Sequence, residues 1–180
     1  MAATAVAATA SDESTPWGWI LLAAAVAAAI VMTAILLHRR SQRRRMQAWR
    51  QQTRGAVDAA FVSRDLLPTH GRDIVDLQHW ESVRAAADQA AVGLRTAAGT
   101  APTSDAAAAA NTGAEALTAM TFALESARLV QAAQPPPSAA QLADADALVQ
   151  SRKTELDGAL ERLQAVVEPP AGADTTQPEA

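Results

Sequence analysis

Cysteine is absent from the 180 residues, which excludes a disulfide framework, a thiolate nucleophile and any cysteine-based zinc site. Tyrosine is absent too, and Lys153 is the only lysine. Only three histidines occur, the serines lack a nucleophile-elbow setting, and no catalytic triad is indicated. No glycine-rich phosphate loop of the Walker or Rossmann type is present. Alanine fills the space these residues leave, at about a quarter of the chain, far above average usage. That bias, with arginine used in place of lysine, fits a high-GC bacterial genome.

What is present begins with PWGWILLAAAVAAAIVMTAILL, an uncharged run whose apolar core spans Trp17 to Leu37. About 20 such residues, rising about 1.5 Å each, cross a hydrocarbon core of about 30 Å, so the run predicts one transmembrane helix over 17–37. A cleaved signal peptide needs a basic leading region, yet residues 1–16 carry only Asp12 and Glu13 as charged side chains. Trp17 and Trp19 sit where an interfacial aromatic belt belongs. Arg39, Arg40, Arg43, Arg44 and Arg45 follow at once, and the positive-inside rule places that side in the cytoplasm, with the N-terminus outside. The expected location is therefore the plasma membrane, with a single pass.

Seven of the fifteen basic residues lie between Arg39 and Arg54, where Asp and Glu are missing. As the juxtamembrane segment 38–45, this block sets topology and is placed to attract anionic headgroups of the inner leaflet. It lacks a nucleic-acid recognition fold, so no nucleic acid is expected as partner. Ala23/Ala27, Ala24/Ala28 and Ala25/Ala29 have the spacing that lets membrane helices approach closely, although an alanine-rich segment produces such pairs by chance.

Beyond the arginines the pattern is helical throughout, and Gly and Pro punctuate it at Pro68–Gly71, Gly99–Pro102, Pro135–Pro137 and from Pro169 onward. The first segment, Met46 to Leu67, turns Trp49, Ala56, Ala60, Phe61 and Leu67 to one side; nothing between Leu37 and Met46 stops a helix. The second, Arg72 to Ala98, aligns Ile74, Leu77, Trp80, Val83, Ala87, Ala90 and Leu94. The third starts with Ser104 as N-cap and Asp105 in its first turn, carries Leu117, Met120, Leu124 and Ala127, and ends near Gln134. The fourth opens on a capping box, Ser138 with Gln141, and spaces Leu142, Ala145, Val149, Leu156, Ala159, Leu163 and Val166 almost in heptads.

No segment alternates like a half-buried strand, so the fold class is all-α. Short connections predict an antiparallel cytoplasmic bundle of three to four helices over 46–167. Proline and glycine breaks argue against one long dimeric coiled coil. Trp49, Phe61, Trp80, Met120 and Phe122 are the large side chains available to fill an alanine-thinned core. Residues 1–16, outside the membrane, and the acidic, proline-bearing 168–180 read as unstructured tails.

The best constellation for chemistry is His70, Asp73, Asp76 and His79. Asp76 and His79 share the i, i+3 spacing of di-iron Glu-x-x-His pairs, but such sites need a second copy and two further glutamates, which this chain lacks. Helix-start carboxylates favouring the dipole are the simpler meaning, so no metal, cofactor or small-molecule substrate is expected.

The segments WRQQTRGAVDAAFVSRDLLP, DIVDLQHWESV and QLADADALVQSRKTELDGALERL together resemble uncharacterised membrane-anchored helical proteins of actinobacterial type. The resemblance implies an architecture and a lineage, and it transfers no functional residue. The expectation is a non-enzymatic adaptor or scaffold that binds a cytoplasmic protein, or itself, at the bilayer. A sensory or regulatory subunit coupling the membrane helix to the bundle comes second, and a metal-dependent enzyme resting on His70–His79 third.

Overall fold

The computed structural model describes residues 17–168, with side chains at Leu22 and from Ala24 onward. Among these residues the fold is all-α: α1 Trp17–Leu66, α2 Leu77–Gly99, α3 Ser104–Gln131 and α4 Ala139–Val167, with a 3₁₀ turn at Gly71–Asp73 and no strand. The tail expected at 1–16 lies outside the described residues, as does the tail expected at 168–180 apart from Glu168, the C-cap of α4. The described residues form two compact units, which divide between Gln42 and Arg43.

In the first unit, α1 is long and apolar enough to cross a membrane, and none of its apolar window is buried. Leu22, Val26, Ile30, Val31, Met32, Ile35, Leu36 and Leu37 are each 45–64% exposed. No helix break falls between this stretch and Met46; α1 is one element of 50 residues.

The second unit gathers the rest of α1 with α2, α3 and α4 around one core. α1 stops where Pro68 disfavours helical geometry at Leu67, whose amide makes the last bond, to Ser63 O at 3.1 Å. α2 starts at Leu77, five residues later than the spacing of Ile74 suggests. Asp76 takes the N-cap, accepting from the amides of Gln78 at 2.9 Å and His79 at 3.3 Å, and so holds the preceding residues outside the helix. α3 is capped one residue earlier than expected, by Thr103, whose Oγ1 accepts from Ala106 N. It ends at Gln131, three residues before Gln134. α4 has the capping box of Ser138 and Gln141 that the sequence predicts.

Among the described residues, twelve of the twenty-six buried apolar side chains are alanine, so helices approach closely and leucines fill what space remains. A Cβ on Gly93 would sit 3.3 Å from Ala56 Cβ, and one on Gly71 only 2.7 Å from Ala127 Cβ. Leu94, Leu117, Met120, Leu124, Leu156, Leu160 and Leu163 are the large side chains sealed completely. Trp49 and Trp80 join them at 2% exposure, and Phe61 packs at the margin. Phe122 does not: it is 72% exposed. It lies two residues after Met120 and two before Leu124, which on a helix is the opposite side.

Polar contacts fix how the elements of this unit run. The Trp49 indole N–H donates to Ala97 O at 2.7 Å, tying α1 to the last turns of α2. Arg64 pairs with Asp157 at 3.6 Å, Arg54 with Glu168 at 3.7 Å, and Arg50 Nε donates to Val166 O at 3.0 Å. The late residue Arg64 of α1 thus meets the middle of α4, and the earlier Arg50 and Arg54 meet its C-terminal end, so the two run in opposite directions. α3 packs against both α2 and α4.

Candidate functional site

The arginines are placed by α1. Arg39, Arg40, Arg43, Arg44 and Arg45 all belong to it and all are exposed. Met46 packs on the core and Trp49 is buried in it, which turns the remaining sides of this part of the helix outward. Helical periodicity stacks Arg39 with Arg43 and Arg40 with Arg44 at i, i+4. Among the described residues none of the five donates a hydrogen bond or forms an ion pair. The later arginines differ. Of nine, all but Arg72 have an intramolecular partner, for instance Arg84 with Asp88 at 4.0 Å, Arg95 with Thr118 Oγ1 at 2.9 Å and Arg162 with Gly158 O at 2.9 Å. Trp17 and Trp19 lie on the first turn of α1, and their side chains are outside the described ones.

The His70–His79 group is spent on local structure. Asp73 Oδ2 accepts from the backbone N–H of His70 at 3.0 Å and stands 3.4 Å from its Nδ1, closing the 3₁₀ turn. Asp76 caps α2, as above, and His79 is exposed. Among the described residues no three His, Asp or Glu side chains are disposed to hold a metal ion. A cleft of about 250 Å³ lies beside them, lined by Leu66, Pro68, Ile74, Val75, Trp80 and Val83 among others.

Two further features escape a reading of periodicity. The first is a polar cluster where α2 meets α3. The Trp80 indole N–H donates to Glu125 Oε2 at 2.9 Å, and Arg128 Nη2 donates to Glu125 Oε1 at 2.6 Å. The Arg128 hydrogen bond lowers the Glu125 carboxyl below its ordinary value, burial works against it, and the Trp80 donor and the Arg128 and Arg84 charges add to the lowering. Glu125 in turn raises the Arg128 guanidinium, which stays charged. Only Glu125 and Arg128, three apart on one helix, hint at this in the sequence. The second is a groove of about 560 Å³ between α1 and α2, walled by Ala56, Ala59, Ala86, Ala90 and Gly93 and rimmed by exposed Val62 and Val92.

No family model, curated protein or solved structure matches the chain. Among the described residues the arrangement pairs no nucleophile with a base; what it offers is arginines of α1 without an intramolecular partner, and small apolar surfaces on a closed core.

Proposed function

We propose that this chain is a single-pass, membrane-tethered, non-enzymatic helical module that binds a protein partner beside the inner leaflet. Residues 17–37 cross the bilayer, Arg39–Arg45 stay on the cytoplasmic side, and 46–167 form an antiparallel helical bundle there. The observation that carries this reading is the run of exposed large apolar side chains from Leu22 to Leu37, whereas most large apolar residues from Met46 onward close a core. A contiguous apolar surface of that length is an interaction surface, and its length and flanks suit lipid. Exposed Val62, Val75, Leu77 and Val92 on the α1–α2 side, and Phe122 and Leu129 on α3, supply surface for a partner.

The unbroken course of α1 favours a second reading, a regulatory subunit in which a change in the membrane helix is passed on to the bundle.

Crosslinking in native membranes followed by mass spectrometry tests the adaptor. A heterologous protein joined to the α1–α2 or α3 face is expected; self-crosslinks alone, or none, would overturn it. Reporter fusions at the two ends test the topology, and a C-terminal reporter active only outside the cytoplasm would reverse it.

A further inference from the structure

We infer that the arginine block is a binding site for anionic phospholipid headgroups, an inference that rests on the membrane-spanning reading and gives it a lipid partner. The argument is the contrast between the two sets of arginines. Arg50, Arg54, Arg64, Arg84, Arg95, Arg128, Arg152 and Arg162 spend their guanidinium groups on carboxylates, a hydroxyl or backbone carbonyls of this chain. Arg39, Arg40, Arg43, Arg44 and Arg45 have no such partner among the described residues, and no Asp or Glu occurs between Arg39 and Arg54 to provide one nearby. Five unneutralised cations within seven positions repel one another, and an external anion relieves that repulsion.

Position selects which anion. The first arginine stands two residues beyond Leu37, the last of the apolar run, so the block falls at the depth of the headgroups once that run spans the bilayer. Arginine side chains reach along a helix while keeping the guanidinium in the polar layer, and their forked donors match phosphate oxygens. With arginines on more than one side of α1, several lipids are gathered around the helix. Each arginine held near the surface is expected to favour an anionic over a neutral lipid by about fivefold.

The test uses the full chain reconstituted in phosphatidylcholine vesicles containing a minor fraction of phosphatidylglycerol. Spin-labelled versions of each lipid report the motionally restricted population by electron paramagnetic resonance. The expected result is a several-fold preference for phosphatidylglycerol that falls with added salt. It collapses when the five arginines become glutamine, persists when they become lysine, and persists in Arg84→Gln/Arg95→Gln, which removes two arginines from α2. No preference in a wild-type chain that resists alkaline extraction overturns the lipid site and leaves the membrane span standing; release of the chain by alkaline extraction overturns the span itself. Preference that appears only after deleting residues 169–180 overturns the inference in favour of that acidic segment. Displacement of the labelled lipid by inorganic phosphate beyond the effect of matched salt overturns it in favour of a soluble anion.

Discussion

Trp80 buries its ring while its indole N–H reaches the Glu125 carboxylate, so two substitutions separate packing from polarity. Trp80→Ala is expected to remove about 3–5 kcal/mol by leaving a cavity. Trp80→Phe keeps most of the ring and loses one donor while Arg128 still holds Glu125, which costs about 1 kcal/mol. Equal losses in urea unfolding would show that the indole contact, not the volume, is what counts. Glu125 also carries a pH signature. Its carboxyl lies below the ordinary value of 4.5, mainly through the Arg128 hydrogen bond. The stability it contributes is therefore complete above that value and is lost as the pH falls through the lower folded value. The difference in unfolding free energy between wild type and Glu125→Gln should shrink across that acid range, and a difference that stays constant would contradict the assignment. Trp80 was legible as a core residue from its place on the apolar stripe of α2. Its meeting with Glu125 was not, because the two lie 45 positions apart and nothing local encodes the pairing.

Helix ends show the same division between local and distant causes. The start of α4 was readable because Ser138 and Gln141 satisfy each other's backbone within one turn. The start of α2 was not, because Ile74 and Leu77 carry a helical spacing through a segment that the Asp76 cap and the close approach of Gly71 to Ala127 hold outside the helix. Ile74 packs at the core margin from a tight turn, closed by the Val75 N–H donating to Asp73 O at 3.0 Å, and Leu77 is left exposed. Gly71 is buried with α3 pressed against it, and Gly71→Ala should destabilise by about 1–3 kcal/mol through overpacking. Gly55, inside α1, faces open space, and Gly55→Ala should stabilise by about 0.5–1 kcal/mol by restricting the unfolded chain. Opposite signs in urea unfolding are the expected pair; a gain from both would mean that Ala127 gives way easily.

At the scale of the whole molecule, the arginine block and apolar run were legible in full, since length, charge and order along the chain are enough to define them. The groove between α1 and α2 was not, because its walls are alanine and glycine, residues that look the same in a core, on a surface or at a helix crossing. The two units also differ in what holds them together. The second has a side-chain core, whereas the helix over 17–37 has its hydrogen bonds and, in the proposed setting, lipid. In proteoliposomes, urea that unfolds residues 43–168 should leave the ellipticity of the helix over 17–37 in place. Loss of all helicity in one transition would count against a bilayer-spanning segment.

The opposite course of α1 and α4 has a mechanical consequence. Arg50 and Arg54 clasp Val166 and Glu168, so the second unit receives the chain and releases it at the same pole. A pull between its two ends would open it as a zipper, breaking those contacts first and the Arg64–Asp157 pair later, one turn at a time. A pull between the α1 entry and a partner seated at the far pole, near Pro68 or Pro136, loads the same helices lengthwise and must slide them past each other all at once. The second unit is soft to peeling and stiff to shear, and the points between which it is pulled decide which of the two it shows.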